Sequence, residues 1–211
     1  MAIEAVIWDY GGVFSASPFG AMAGVAREMG VDPQRYLEIV FGPYDEDTDH
    51  PWHRLERGEV RLEAARAEIQ ALGRGEGIDA DPLHLFAAMG RSGAGMRAEV
   101  VDVARGLKSA GLGTALVTNN AAEFRDYWRR SIPLDELFHH VIDSSEVGVR
   151  KPDPRIFELA LAKLGVPAAR AVFLDDYAGN VAAARRVGMR GVLVSDDYAE
   201  ALAELARLVG R

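Results

Sequence analysis

The 211-residue sequence contains no cysteine. That absence excludes a disulfide framework, a thiolate metal centre and a cysteine nucleophile. It fits a cytoplasmic protein without fixing the compartment. No apolar run approaches the roughly 18 residues that a membrane span requires, so no membrane partner is expected. The opening segment, 1–8, has no basic stretch ahead of its apolar residues, and no secretory leader is expected either. Positive charge is scarce: 24 Lys and Arg stand against 32 Asp and Glu, a net charge of −8. Nucleic acids and acidic membranes need clustered Lys and Arg, so nucleic acid is not an expected partner. What is present is an ordinary globular balance, 49% apolar and 27% charged. This excludes disorder, collagen and a heptad rod. The length fits one large domain, or one domain with an insertion.

Short apolar runs punctuate the chain, and each stops at polar residues. Ala5–Trp8 stops at Asp9-Tyr10-Gly11-Gly12, and Leu112–Val117 stops at Thr118-Asn119-Asn120. Ala171–Leu174 stops at Asp175-Asp176, Gly191–Val194 at Ser195-Asp196-Asp197, and a weaker run, Val141-Ile142, at Asp143. Runs of this kind read as buried parallel strands. Helical periodicity lies between them, at 97–110, 121–130, 154–164, 177–187 and 197–209. The helix at 154–164 has Asp153 as cap, Pro154 at its first position and Gly165 as stop. Alternating strands and helices predict an α/β fold, a parallel sheet covered on both faces. The stretch 15–96 breaks the alternation. It has no convincing strand and four helical patterns, near 19–29, 33–41, 60–72 and 82–89. The Gly-rich pieces Gly73–Gly77 and Gly90–Gly95 read as connectors.

In open α/β sheets, ligands bind beyond the carboxyl ends of the strands. Asp9, Thr118, Asn119, Asp175 and Asp176 fall there, and Lys151 stands in a loop before a capped helix. Each residue also has a plainer reading. Asp9 could cap a turn, Asp175-Asp176 could cap a helix, and Lys151 could be a surface lysine. Thr118-Asn119 could simply start the next helix, itself an anion site. Adjacent buried carboxylates repel unless a cation offsets them.

Taken in order, Asp9, Thr118-Asn119, Lys151-Pro152-Asp153-Pro154 and Asp175-Asp176 with Asn180 resemble the motif set of the haloacid dehalogenase superfamily. The likeness is nearest to the subgroup containing the N-terminal phosphatase domain of soluble epoxide hydrolases. It implies a Rossmann-like three-layer parallel sheet core, 1–14 and 97–211, with an inserted helical cap, 15–96. It also implies a Mg²⁺-dependent phosphatase acting on a small phosphorylated substrate. Asp9 would be the nucleophile and form an aspartyl-phosphate. Asp9, the Gly11 carbonyl and Asp176 would hold Mg²⁺, with Asp175 and Asn180 behind them. Thr118, Asn119 and Lys151 would hold the phosphoryl group, and Lys151 would also serve catalysis by supplying positive charge. One departure stands out. The second aspartate usual two residues after the nucleophile is Gly11 here. A positioned general acid contributes roughly 10²–10⁴-fold, so a substrate with a good leaving group, such as a sugar-1-phosphate or aryl phosphate, is expected. The Gly-Gly pair is equally explained by a turn needing positive φ. A metal-independent 2-haloacid dehalogenase-like hydrolase and a catalytically weak binding or regulatory member of the fold remain alternatives.

Other features point to structure. His139-His140 are adjacent and diverge on any regular element. Asp45–His50 lacks EF-hand spacing and reads as a solvated loop. Arg129-Arg130 and Arg185-Arg186 read as solvated helix faces. Trp52, His53 and Arg54 fall in the expected cap; Arg54 could meet a substrate anion, and Trp52 has an equal claim to a packing role. An exposed cap or sheet edge leaves a homodimer open.

Overall fold

The computed structural model describes residues 2–92 and 95–210. Five strands form one parallel sheet: β1 (Ala5–Trp8), β2 (Gly113–Thr118), β3 (His140–Asp143), β4 (Ala171–Asp175) and β5 (Arg190–Leu193). Their order is β3-β2-β1-β4-β5. β1 is central, with Ile7 aligned to Ala115 of β2 and to Phe173 of β4. The strand order reverses between β1 and β4. In a doubly wound sheet that reversal opens a crevice at the carboxyl ends, and Asp9 and Asp175-Asp176 lie beside it.

Among the described residues, six helices lie between β1 and β2: α1 (Pro18–Glu28), α2 (Pro33–Phe41), α3 (Pro51–Glu56), α4 (Leu62–Gly75), α5 (Leu83–Ser92) and α6 (Ala98–Ser109). Beyond β2 come α7 (Arg125–Ser131), α8 (Leu134–Leu137), α9 (Ser144–Val147), α10 (Pro154–Leu164), α11 (Ala178–Arg186) and α12 (Ala199–Leu208). Side chains of successive strand residues point to opposite faces. Val6, Trp8, Leu116, Val172 and Leu174 accordingly join one apolar cluster, with Val100, Leu107 and Leu205 from α6 and α12. Ala5, Ile7, Ala115, Val117 and Phe173 join another, with Ile156 and Phe157 from α10 and Ala183 from α11. The sheet is thus sandwiched between helices. A third cluster joins Met22, Tyr36, Phe41, Trp52, Leu55 and Ile69 of α1–α4 to Ala121.

Local chemistry explains some of the helix ends. The Asp153 carboxylate accepts from the Arg155 N–H ahead of α10, and Gly165 closes that helix at φ 69°. Asp32 caps α2 in the same way, and Pro33 follows it. Two expectations need correction. Gly73–Gly77 is not a connector throughout, because α4 runs to Gly75. Gly73 lies so close to Ile78 and Ala80 that a Cβ would stand 2.5 Å from the Ile78 carbonyl; close packing, not chain reversal, accounts for it. In the expected connector Gly90–Gly95, residues 90–92 belong to α5 and 93–94 lie outside the described residues. The short helix α3 is an addition. Its six residues are too few to show a period, and its cap is His50, whose ring accepts from the Trp52 N–H.

Candidate active site

Asp9 follows β1, Asp175 closes β4 with Asp176 next, and Lys151 sits in the turn before α10. Carboxylate oxygens of Asp9, Asp175 and Asp176 all lie within 4.8 Å of one another. Lys151 Nζ lies 2.6 Å from Asp9 Oδ1 and donates to Asp175 Oδ2 at 2.8 Å. Lys151 is 1% exposed, Asp175 0% and Asp9 7%. This burial excludes the reading of Lys151 as a surface lysine. Three carboxyl groups therefore cluster about one ammonium, which pairs directly with two of them.

The electrostatics follow from burial first and from that imbalance second. Burial pushes the Asp9 carboxyl well above the usual range; Lys151 opposes this, while Asp175 and Asp176 reinforce it. Burial and then Asp175 raise Asp176 to about 7. The Ser17 hydroxyl, donating to Asp176 Oδ2 at 2.5 Å, offsets part of that rise. Burial disfavours the Lys151 ammonium, yet Asp175 and Asp9 outweigh it and hold its pKa above normal. Asn180 donates to both oxygens of Asp175, at 3.2 and 3.1 Å, and its own buried Oδ1 has no hydrogen-bond partner.

The two adjacent glycines differ. Gly12 has φ 70°, and a Cβ there would stand 2.0 Å from Asp176 Oδ2. Only glycine fits. Gly11 is not among the glycines of positive φ, and a Cβ on it would meet Pro18 Cδ at an ordinary 3.4 Å. Positive φ therefore explains Gly12 but not Gly11.

A cavity of about 730 Å³ opens from this cluster. Asp9, Gly11, Thr118, Asn119, Lys151, Asp176 and Asn180 line its polar end. Phe19, Phe41, Tyr44, Trp52, Met96, Phe124 and Trp128 are among the residues lining the rest. Lys151 is the one cation among the described lining residues. Asn119 is tied to the lysine loop: Lys151 N–H donates to Asn119 Oδ1 at 2.8 Å, and Asn119 Nδ2 donates to the Lys151 carbonyl at 3.0 Å.

Several residues lie elsewhere. Arg54 does not line the cavity and pairs with Glu68 at 3.1 Å. The acidic loop is more engaged than expected: Asp47 pairs with Arg57, and Asp45 bonds to Tyr177. Arg129 pairs with Glu146, and Arg185 donates to the Gly191 carbonyl. His139 bonds through Nδ1 to Thr114 and His140 opens edge strand β3, both away from the acidic cluster. Glu56 is buried at the cavity's edge, 2.7 Å from the buried Arg150. No sequence signal marked Glu56; Arg150 had only its place beside Lys151.

Comparison with known proteins agrees with this fold. The profile of haloacid dehalogenase-like hydrolases matches residues 3–188. The bifunctional epoxide hydrolase 2 of Rattus norvegicus is 28% identical over 227 residues, across all of this chain and 39% of that enzyme's length. A sesquiterpene phosphatase of Aspergillus oryzae is 29% identical over 210 residues, 98% of this chain and 97% of the relative. Among solved structures, a haloacid dehalogenase family enzyme of Bacteroides thetaiotaomicron, in complex with magnesium and inorganic phosphate, superposes with TM-score 0.63. It is 16% identical and shares the fold over 94% of this chain and 98% of its own. No helix among the described residues is long and apolar enough to cross a membrane. With its parallel sheet, strand-end acids and a profile match spanning most of its length, the chain belongs to the haloacid dehalogenase-like hydrolases.

Proposed function

We propose that this hydrolase is a Mg²⁺-dependent phosphatase acting on phosphate monoesters of bulky apolar alcohols, with Asp9 as nucleophile. One arrangement carries the reading: Asp9 stands at the polar end of a large apolar cavity, beside Asp175, Asp176 and Lys151. The donor set fits a hard divalent cation, which takes oxygen ligands. Three carboxyl groups stand against one ammonium, and burial, then Asp175, raises the pKa of Asp176 to about 7, so a dication there would relieve the crowding of acids. Asp9, Asp176 and the Gly11 carbonyl would hold Mg²⁺, which when bound would neutralise charge on the transferring phosphoryl group.

The chain's own residues supply the rest. An Asp9 oxygen attacks phosphorus, the bond to the alcohol oxygen breaks, and water hydrolyses the resulting aspartyl-phosphate. Lys151 orients Asp9 and offers positive charge to the phosphoryl oxygens. Thr118 hydroxyl and Asn119 face the same end, with Asn119 also holding the lysine loop in place. Asp175 anchors Lys151, and Asn180 anchors Asp175. Gly11 brings no proton to the leaving oxygen, so water protonates the departing alkoxide as the bond to phosphorus breaks. The helical block 15–96 acts as the cap and contributes Phe19, Phe41, Tyr44 and Trp52 to the cavity wall.

The cavity turns the substrate expectation away from sugar phosphates. Its wall is aromatic and aliphatic, and among the described lining residues no cation besides Lys151 would meet a second anionic group. The sesquiterpene phosphatase relative agrees with that choice. Each buried methylene is worth about 0.8 kcal/mol, roughly fourfold in affinity. A series from butyl to dodecyl phosphate, assayed with Mg²⁺ beside glucose-1-phosphate, tests this. Expected is a kcat/KM that climbs with chain length until the cavity is full. A flat series, or a preference for the sugar phosphate, overturns the substrate class. Metal-independent turnover of 2-haloacids would instead establish the dehalogenase alternative.

A further inference from the structure

We propose that Glu56 is a positioning residue that locks two aromatic walls of the cavity to the loop carrying Lys151. The proposal rests on the phosphatase reading above. Glu56 lies at the end of α3 and is 3% exposed. One oxygen, Oε1, accepts from Trp52 Nε1 at 2.8 Å and from the Tyr44 hydroxyl at 2.9 Å. Burial, then Glu56 itself, pushes the Tyr44 phenol up, which keeps it protonated as a donor. The other oxygen, Oε2, accepts from Arg150 Nε at 2.7 Å and more weakly from Asn119 Nδ2 at 3.4 Å.

Those donors belong to two different parts of the chain. Tyr44 and Trp52 belong to the helical block and line the cavity. Arg150 and Asn119 belong to the sheet side and control Lys151, Arg150 as its covalent neighbour and Asn119 through hydrogen bonds to its backbone N–H and carbonyl. Arg150 is fully buried, stacks 4.6 Å above the Tyr44 ring and donates to the Glu46 carbonyl at 3.1 Å. Just beyond α3, Gly58 approaches the Ser145 carbonyl so closely that a Cβ would stand 2.5 Å away. The end of α3 is therefore pressed against the sheet side at two points.

A single carboxylate thus sets both the shape of the apolar wall and the place of the ammonium that grips Asp9. A shift of about 1 Å in a positioning group costs on the order of 10²-fold in rate. Glu56→Gln keeps the shape and removes the charge that fixes Arg150. Steady-state kinetics with Mg²⁺ on p-nitrophenyl phosphate and dodecyl phosphate, well below each variant's melting temperature, then separate two effects. Expected is a kcat lower by roughly tenfold or more on both substrates, and a KM raised only for dodecyl phosphate. A folded variant with wild-type kcat and KM on both would overturn the proposal and leave Glu56 a structural residue only. Arg54→Ala, on the same helix in an exposed pair, is the control that should change neither parameter. Should Glu56→Gln fail to fold, Tyr44→Phe deletes one donor to the same carboxylate while keeping the ring over Arg150. It should raise the dodecyl phosphate KM alone, and an unchanged KM counts against the proposal. A wild-type enzyme inactive on both esters would instead bring down the phosphatase reading, and this inference with it.

Discussion

Arg150 and Lys151 are consecutive residues, both fully or almost fully buried, yet they enter two ion clusters of opposite character. Around Arg150 the charges balance: Glu56 lies at 2.7 Å, and Asp47 at 3.7 Å is shared with Arg57. Around Lys151 they do not balance, since Asp9, Asp175 and Asp176 face one ammonium. A buried pair with matched charge holds two segments together, and removing one partner is strongly destabilising. An unmatched buried cluster persists at a cost in stability, and such clusters concentrate where chemistry is done. The contrast teaches where each kind of mutation should strike.

The sharpest test of the contrast is Asp9→Asn. Turnover should fall by at least roughly 10⁴-fold, the scale of losing a nucleophile. Because burial raises the Asp9 pKa, its charge does not favour folding, and the melting temperature should hold or rise. Activity within tenfold of wild type would remove Asp9 from its role. Arg150→Met should do the reverse to stability: leaving Glu56 buried and unpaired should cost about 3–5 kcal/mol, read by denaturant unfolding. A loss below about 1 kcal/mol would mean the two clusters are not different in kind.

Divalent metal sharpens the same comparison from the other side. Mg²⁺ at a hundred times its dissociation constant should stabilise the protein by about 2.7 kcal/mol, seen as a higher melting temperature that chelator reverses. Asp176→Asn should abolish that shift and Arg150→Lys should not. Smaller still is Gly11→Asp. The backbone there has no positive φ and space for a Cβ, so a carboxyl two residues after Asp9 should fold. It should raise the rate on alkyl phosphates by roughly tenfold or more and leave p-nitrophenyl phosphate almost unchanged. An equal effect on both would show that leaving-group protonation is not what Gly11 lacks.

The smallest effect concerns pH beside the balanced cluster. Burial, then Arg150 and His50, depress His53 to about 3, and burial depresses His50 to about 4. Both are neutral in the fold and take up protons near pH 6.5 when unfolded. Their contribution is therefore complete above pH 6.5 and lost as pH falls toward 4 and then 3. By pH 5.5 the loss should be about 1 kcal/mol after allowing for partial exposure. His53→Gln should flatten that slope in urea titrations.

Much of the core was legible because its signals are local. Four residues of continuous apolar sequence before Asp9, and four before Asp175, announce buried strands whatever the rest of the chain does. Asp153-Pro154 with Gly165 marks α10 to the residue. The helical block was readable as helices, but α3 was not, since six residues show no period and a His cap is an unusual start.

The sequence by itself determined the parallel sheet, the strand-end carboxylates and Lys151 as candidates, because strand burial and turn chemistry are written in contiguous residues. Only the tertiary structure decided that three acids would share one ammonium, that Glu56 would bridge α3 to Arg150, and that an aromatic cavity would face Asp9. Those facts depend on residues brought together from up to 167 positions apart, Asp9 to Asp176. Charge balance and cavity shape are properties of that assembly, which no local pattern encodes.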